Sequence, residues 1–315
     1  MRTTSFFVSL ATAAFFCSAS TVAQAGAGHA ADHSHVPGPS VKVGASEVNG
    51  NVSVVMGLDG FAGGNVGVLT GPDGLLIVDN FMPGFQHKLE HALNTLKTCS
   101  DCGDLKYLIN THWHFDHSGN NDHFGDNAVL ITHETVRPLY QKQHDYPEMK
   151  MVVPKKTRAG MPDITIAQKA TIYFNGEEIE LMHYPKSHTS GDVAVYFKGS
   201  NVVHLGDLYF NGTFPYVDLD NGGNVLGMTA TIEAALEHYP ADAKVIPGHG
   251  PVSGMVELKA YLDMLKETTE IVRDAKNAGM SLEEVQKKGL DERWSSWSWV
   301  FISTDAWIAQ VYNSL

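Results

Sequence analysis

Positive charge is scarce in this chain. Across 315 residues, 22 lysines and arginines stand against 35 aspartates and glutamates, a formal net charge of −13. DNA, RNA and anionic membranes are bound by the opposite balance, so no nucleic-acid partner is expected and a small-molecule substrate fits better. Cysteine is scarce too, with Cys17, Cys99 and Cys102 the only three. Cys99 and Cys102 form one C-x-x-C pair. Without a second such pair, a four-cysteine structural zinc site is excluded. The pair either closes a small disulfide loop in an oxidising compartment or stays as free thiols. Long apolar runs are also missing. The N-terminal one, Phe6 to Phe16, is broken by Ser9 and Thr12 and is too short to cross a bilayer, so no membrane anchor is expected.

What that N-terminal stretch does have is the layout of a secretory signal peptide over residues 1–25. Arg2 gives the positive start, Phe6 to Phe16 the apolar centre, and Ala23-Gln24-Ala25 a small-residue cleavage site. A periplasmic or secreted protein is therefore expected. Cleavage removes 25 of 315 residues, leaving 290, and removal of Arg2 moves the charge from −13 to −14. A chain of that length fills one large domain or two half-domains sharing a core. Residues 26–50 are rich in Gly, Ala, Ser and Pro and carry His29, His33 and His35. They read as a flexible leader, and residues 51–315 as one domain that includes C-terminal helices.

The densest chemistry lies in Thr111-His112-Trp113-His114-Phe115-Asp116-His117-Ser118-Gly119-Asn120, directly after an apolar strand from Leu105 to Asn110. Alternation at a strand end turns His112 and His114 to the same side. Asp116 and His117 then return toward that side. Imidazole nitrogens and carboxylate oxygens in such density are a donor set for zinc or a similar first-row metal, with iron or manganese as alternatives.

Around this motif the pattern alternates strand and helix. Val52 to Met56, Asn65 to Thr70 and Leu75 to Val78 read as a meander, interrupted by a glycine loop from Leu58 to Gly64 and ending at Asp79. Asp79 reads by itself as a turn or cap residue. Pro83 to Lys97 has helical spacing, Ala128 to Thr132 reads as a strand, and His133 to Gln143 as a helix. Asp145 to Ile166 reads as an insertion, either a lid or a surface loop of packed methionines. Thr171 to Phe174 and Glu177 to His183 flank Asn175-Gly176 as a hairpin. Strands follow at Val193 to Phe197, Val202 to Leu205 and Lys244 to Gly248, with His188, Asp207 and His249 at their ends. Met255 to Val272 has helical spacing, Gly279 can end that helix, and Ser281 with Glu284 starts another as a capping box. Trp294, Trp297, Trp299 and Phe301 read as core or interface. His123, His133 and His144 read as ordinary.

These motifs resemble the metallo-β-lactamase superfamily. The resemblance spans residues 52–250 and implies an α/β fold, a four-layer αββα sandwich with a metal site at one edge of its sheets. It implies that His112, His114 and His188 hold one metal, that Asp116, His117 and His249 hold a second, and that Asp207 bridges both. For Asp79 it implies a support for the metal site. Two zinc ions per chain would ionise a shared solvent molecule, and the resulting hydroxide would attack an acyl carbon while Asp116 orients it and carries a proton. The expected function is an exported hydrolase of a small cyclic amide, ester or thioester. The alternative is a non-catalytic periplasmic zinc-binding or metal-delivery protein. Asp207 stands where the cysteine-containing lactamases carry Cys, and Phe210 where the lactonases carry a catalytic Tyr, with Tyr209 beside it. The resemblance also makes Gly60 to Gly64 and Leu208 to Asn224 the walls of a cleft, the second wall aromatic through Tyr209, Phe210, Phe214 and Tyr216.

Overall fold

The computed structural model describes residues 40–96 and 103–315. The expected signal peptide, most of the expected leader and the Cys99/Cys102 pair lie outside the described residues. In chain order the elements are β1 (Val43–Asn49), β2 (Val52–Gly57), β3 (Val66–Gly71), β4 (Gly74–Val78), α1 (Gln86–Leu96) and β5 (Leu105–Ile109). Then come α2 (Phe115–Ser118), α3 (Asn121–Phe124), β6 (Val129–His133), α4 (Val136–Tyr140), β7 (His144–Tyr146), β8 (Met151–Val153) and β9 (Ile164–Ile166). The second half holds β10 (Lys169–Phe174), β11 (Glu177–Tyr184), β12 (Asp192–Phe197), β13 (Val202–Phe210), α5 (Val225–His238), β14 (Lys244–His249), β15 (Ser253–Gly254), α6 (Met255–Asn277), α7 (Leu282–Lys288) and α8 (Thr304–Ser314).

Among the described residues two sheets dominate. One runs β1-β2-β3-β4-β5-β6-β9 and the other β10-β11-β12-β13-β14-β15. Strand periodicity explains why they stack with helices outside. In β4, Leu76 and Val78 point into the layer between the sheets, while Leu75 and Ile77 point outward to meet Leu89 and Leu93 of α1. In β12, Val193, Val195 and Phe197 join that same inner layer, while Ala194 and Tyr196 face the core shared with α5, α6 and α8. Three apolar layers therefore separate helix, sheet, sheet and helix, which is the expected αββα sandwich.

Three local expectations change. Val43–Asn49, taken as part of the leader, is an edge strand antiparallel to β2. Its outer residues, Ala45 to Glu47, are exposed, so its composition reads as polar. The helix expected from His133 to Gln143 shrinks to five residues in α4, because β6 runs through His133 and Glu134 N donates to the Ile166 carbonyl of β9. β13 does not stop at Leu205. Gly206, at φ +51°, kinks it where a Cβ would lie 2.6 Å from the Thr111 side chain, and the strand continues to Phe210. The Asp145–Ile166 stretch contains the β7–β8 hairpin. Tyr146 packs on Phe115 at 4.8 Å, and Met149 and Met151 pack against the outer core, as the packed-methionine reading requires.

Parallel neighbours decide where the chemistry can sit. β4, β5, β6 and β9 are parallel, and so are β13 and β14. Their carboxyl ends open on one edge of the sandwich, where the chain leaves β4 at Asp79, β5 at Thr111 and β14 at His249. Irregular backbone at such an edge is free to converge side chains.

Candidate metal centre

All seven residues singled out in the sequence meet at this edge, from four separate segments. The first group is His112, His114 and His188. His114 Nδ1 lies 3.0 Å from His112 Nε2 and 2.9 Å from His188 Nε2. The second group is Asp116, His117 and His249. His249 Nε2 is 3.4 Å from His117 Nε2 and 3.3 Å from an oxygen of Asp116. Asp207, in the kinked part of β13, stands between them. Its Oδ2 is 3.4 Å from His188 Nε2 and 3.9 Å from His112 Nε2, while its Oδ1 is 3.0 Å from His117 Nε2 and 3.4 Å from His249 Nε2.

Whether these groups suit a cation can be decided from the outward-facing nitrogens. His114 Nε2 donates to Asp218 Oδ2 at 3.0 Å, and His188 Nδ1 donates to the Tyr216 carbonyl at 2.7 Å. His117 Nδ1 donates to Asp79 Oδ2 at 2.7 Å. Thr111 Oγ1 spends its proton on Asp79 Oδ2 at 2.8 Å, so it accepts from His112 Nδ1 at 3.0 Å. Each acceptor fixes the ring proton on the outer nitrogen, leaving the inner nitrogen of the neutral ring with a lone pair. The inner lone pair of His114 then faces those of His112 and His188 at hydrogen-bond distance with no proton to share, an arrangement that a cation satisfies. Asp207 Oδ1 is fully buried and has no aligned hydrogen-bond partner despite the nitrogens around it. The residues fit a divalent metal.

Electrostatics divide the two groups. Burial, the largest influence, holds His112 well below the ordinary histidine range and His188 down to about 4, so both are neutral donors at pH 7. Burial opposes the charge of His117 and His249 as well, but Asp207 and Asp116 outweigh it, raising His117 well above the ordinary range and His249 to about 9. Burial likewise pushes Asp207 and Asp116 up, and the facing histidines overcome it and keep both carboxyls ionised. A cation on the second group would displace the imidazole protons.

Backbone and glycine positions make this density possible. Gly64 N donates to the Asp116 carbonyl, and a Cβ at Gly64 would lie 2.0 Å from His117 Cε1. The loop from Leu58 to Gly64 can therefore lie directly on the His117 ring. Asn65 Nδ2 donates to the Pro247 and Gly250 carbonyls and so holds the end of β14 that carries His249. Asp79, whose role the sequence leaves open, is fully buried and accepts from Thr111 N, Thr111 Oγ1 and His117 Nδ1. It is a support of the site.

Sequence reasoning missed several neighbours. Asp218 aligns His114 from a loop 104 residues away, and no motif marks it. Trp299 and Phe301, read as core or interface, do pack against the core and also reach the rim. His249 lies 5.4 Å from Phe61, 5.1 Å from Phe210 and 5.9 Å from Trp299, and Phe301 packs on Phe61 at 4.9 Å. The expected aromatic wall is half right. Phe210 and the exposed Tyr216 border the histidines, but Phe214 stacks on Trp307 and Tyr209 packs on Tyr261 in the helical core. The Tyr209 hydroxyl meets Ser253, so it does not replace the tyrosine absent at Phe210. The most accessible members of the seven are Asp116, His249 and His114, at 7–9% exposure, so the pocket opens on their side.

Comparison with known proteins agrees with this geometry. Residues 59–249, more than half of the chain, match the family model described as the metallo-beta-lactamase superfamily. An uncharacterized protein of Aquifex aeolicus is 33% identical over 88 residues, which are 28% of this chain and 41% of that protein's length. Metallo-beta-lactamase domain-containing protein 1 of Xenopus laevis is 28% identical over 197 residues, covering 60% of this chain and 72% of the relative. Among solved structures, a metallo-beta-lactamase from Pontibacter korlensis superposes with a TM-score of 0.57 at 19% identity, over 71% of this chain and 99% of that one.

Proposed function

Because this chain belongs to the metallo-β-lactamase superfamily, we propose that it is an exported binuclear zinc hydrolase that cleaves a small cyclic amide, ester or thioester. The observation that carries the proposal is the placement of Asp207, one oxygen beside each histidine group. His112, His114, His188 and Asp207 would hold one cation, and Asp116, His117, His249 and Asp207 the other. Two cations there would supply Lewis-acid polarisation of an acyl oxygen and acidify a water molecule.

The chain's own groups supply the remainder. Asp116, ionised and reaching the open side, can orient that water, accept its proton at a carboxylate oxygen and return it to the leaving group. Asp79, Asp218 and the Tyr216 carbonyl keep the imidazoles in one tautomer and one orientation. Phe61, Phe210 and Trp299 enclose His249 in apolar surface, which excludes water and strengthens the charges inside. A metal-delivery protein is supported less well. Four ring orientations fixed by separate partners suit a resident metal, whereas cargo must leave.

Chromogenic lactam, lactone and thioester substrates, assayed with metal-quantified protein, test the reading. Turnover of at least one class is expected, abolished by a chelator and restored by zinc. Metal-replete protein inert toward every class would support delivery instead. Export rests on residues 1–25. The mature protein is expected to begin near Gly26, and intact-mass measurement of protein released by its host checks this. Met1 retained on released protein would refute processing.

A further inference from the structure

A second set of ligand-type side chains stands outside this pocket. His87 and Glu90 are three residues apart on α1 and share a face of that helix. His123, read from the sequence as ordinary, comes to them from α3. Glu90 Oε2 accepts from His87 Nδ1 at 3.0 Å, and Glu90 Oε1 accepts from His123 Nε2 at 2.7 Å. The two rings are 5.7 Å apart and nearly perpendicular. One ligand atom from each residue lies within 4.8 Å of the others, and the three side chains are open to solvent to differing degrees.

We propose that His87, Glu90 and His123 form an additional divalent-cation site, a zinc-type clip joining α1 to α3. Two imidazole nitrogens and one carboxylate oxygen are a three-ligand zinc set, with the fourth position left to water. Bonds of about 2.0–2.2 Å put tetrahedral ligands roughly 3.4 Å apart, so with every pair within 4.8 Å the widest has to close by no more than about 1.4 Å. One side can move and the other is anchored. The His87 side chain is 77% exposed and can change rotamer without disturbing the core. His123 is held through its neighbours. Its own N–H donates to the Asn120 carbonyl, Asp122 accepts from Thr157, and Phe124 is buried in the outer core.

The clip closes a 33-residue span between Glu90 and His123 that contains β5 and the histidine motif. Its anchored end adjoins Asn120 and Asn121, which bond Asn80 and Asn110 beneath the main pocket. A cation bound here would brace that platform by binding the folded chain alone. Exposure makes the site weaker than the buried pocket and exchangeable with the medium.

The test uses the full-length protein with free zinc held constant by a metal buffer. Zinc per chain and the zinc-dependent rise in Tm are compared for the wild type, His87→Ala, Glu90→Gln and His123→Ala. Each variant is expected to bind one zinc ion fewer than the wild type and to lose a few degrees of that rise, with turnover unchanged. Equal zinc content and equal rises in all four proteins would overturn the clip. The readout is a difference between proteins with identical main pockets, so it stands whether or not the hydrolase reading does.

Discussion

Asp207→Asn is expected to lose hydrolysis by at least on the order of a hundredfold, since charge stabilisation by a metal pair supplies several kcal/mol and each 1.36 kcal/mol is a factor of ten. The amide keeps the shape of the carboxylate but removes its charge and turns one oxygen into a nitrogen that cannot ligate. The first group retains three imidazoles, whereas the second retains Asp116, His117 and His249. Metal should therefore be lost mainly from the second group, and kcat should fall more than KM rises. The charge of Asp207 also heads the forces that raise His117 and His249, so both rings become easier to deprotonate in the variant. If Asp207 were only a residue of the strand kink after Gly206, metal content and rate would barely change. Metal counting by plasma mass spectrometry with paired kinetics separates the two outcomes.

His112→Ala is expected to abolish most activity while leaving the protein folded. His112 is buried at the strand edge but contributes to none of the apolar clusters, and the nearby Tyr140 hydroxyl bonds its backbone carbonyl, not its ring. Its removal deletes one inward lone pair and leaves Thr111 bonded to Asp79 through both its amide and its hydroxyl. The structural cost should be about 1–3 kcal/mol, the ordinary range for truncating a buried group, and circular dichroism should stay near native with metal depleted. Global unfolding would mean that the metal holds the fold together.

How much of this was legible in the sequence depended on how local each signal is. The seven pocket residues sit in short motifs at strand ends, and strand periodicity is a local property, so most of the long strands could be read from it, while their sorting into two sheets came from the family resemblance. Residues acting from irregular loops could not. Asp218 supports His114 without any spacing rule to mark it, and Trp299 and Phe301 belong to an aromatic run that looks like any packed core. β1 was missed because its apolar contacts are few: Val43 packs on the outer core and Val48 on the inner one, with Ala45 to Glu47 exposed between them. The kink at Gly206 reads as the end of the strand because Gly-Asp after Val202 to Leu205 is what a strand end looks like. Gly206 has a positive φ and leaves no room for a Cβ beside Thr111, a close approach across 95 positions that no local pattern marks. Asp79 remained open for the opposite reason. A carboxylate ending an apolar strand is equally suited to capping a turn, and its three bonds to Thr111 and His117 appear only once β4 and β5 lie side by side.

The central claim is that two cations share Asp207. Anomalous diffraction from crystals of zinc-loaded protein, recorded above the zinc absorption edge, tests it most directly. The expected result is two peaks, one coordinated by His112, His114 and His188 and the other by Asp116, His117 and His249, with an oxygen of Asp207 about 2.0–2.2 Å from each. One peak among these seven residues, or none, would contradict the account.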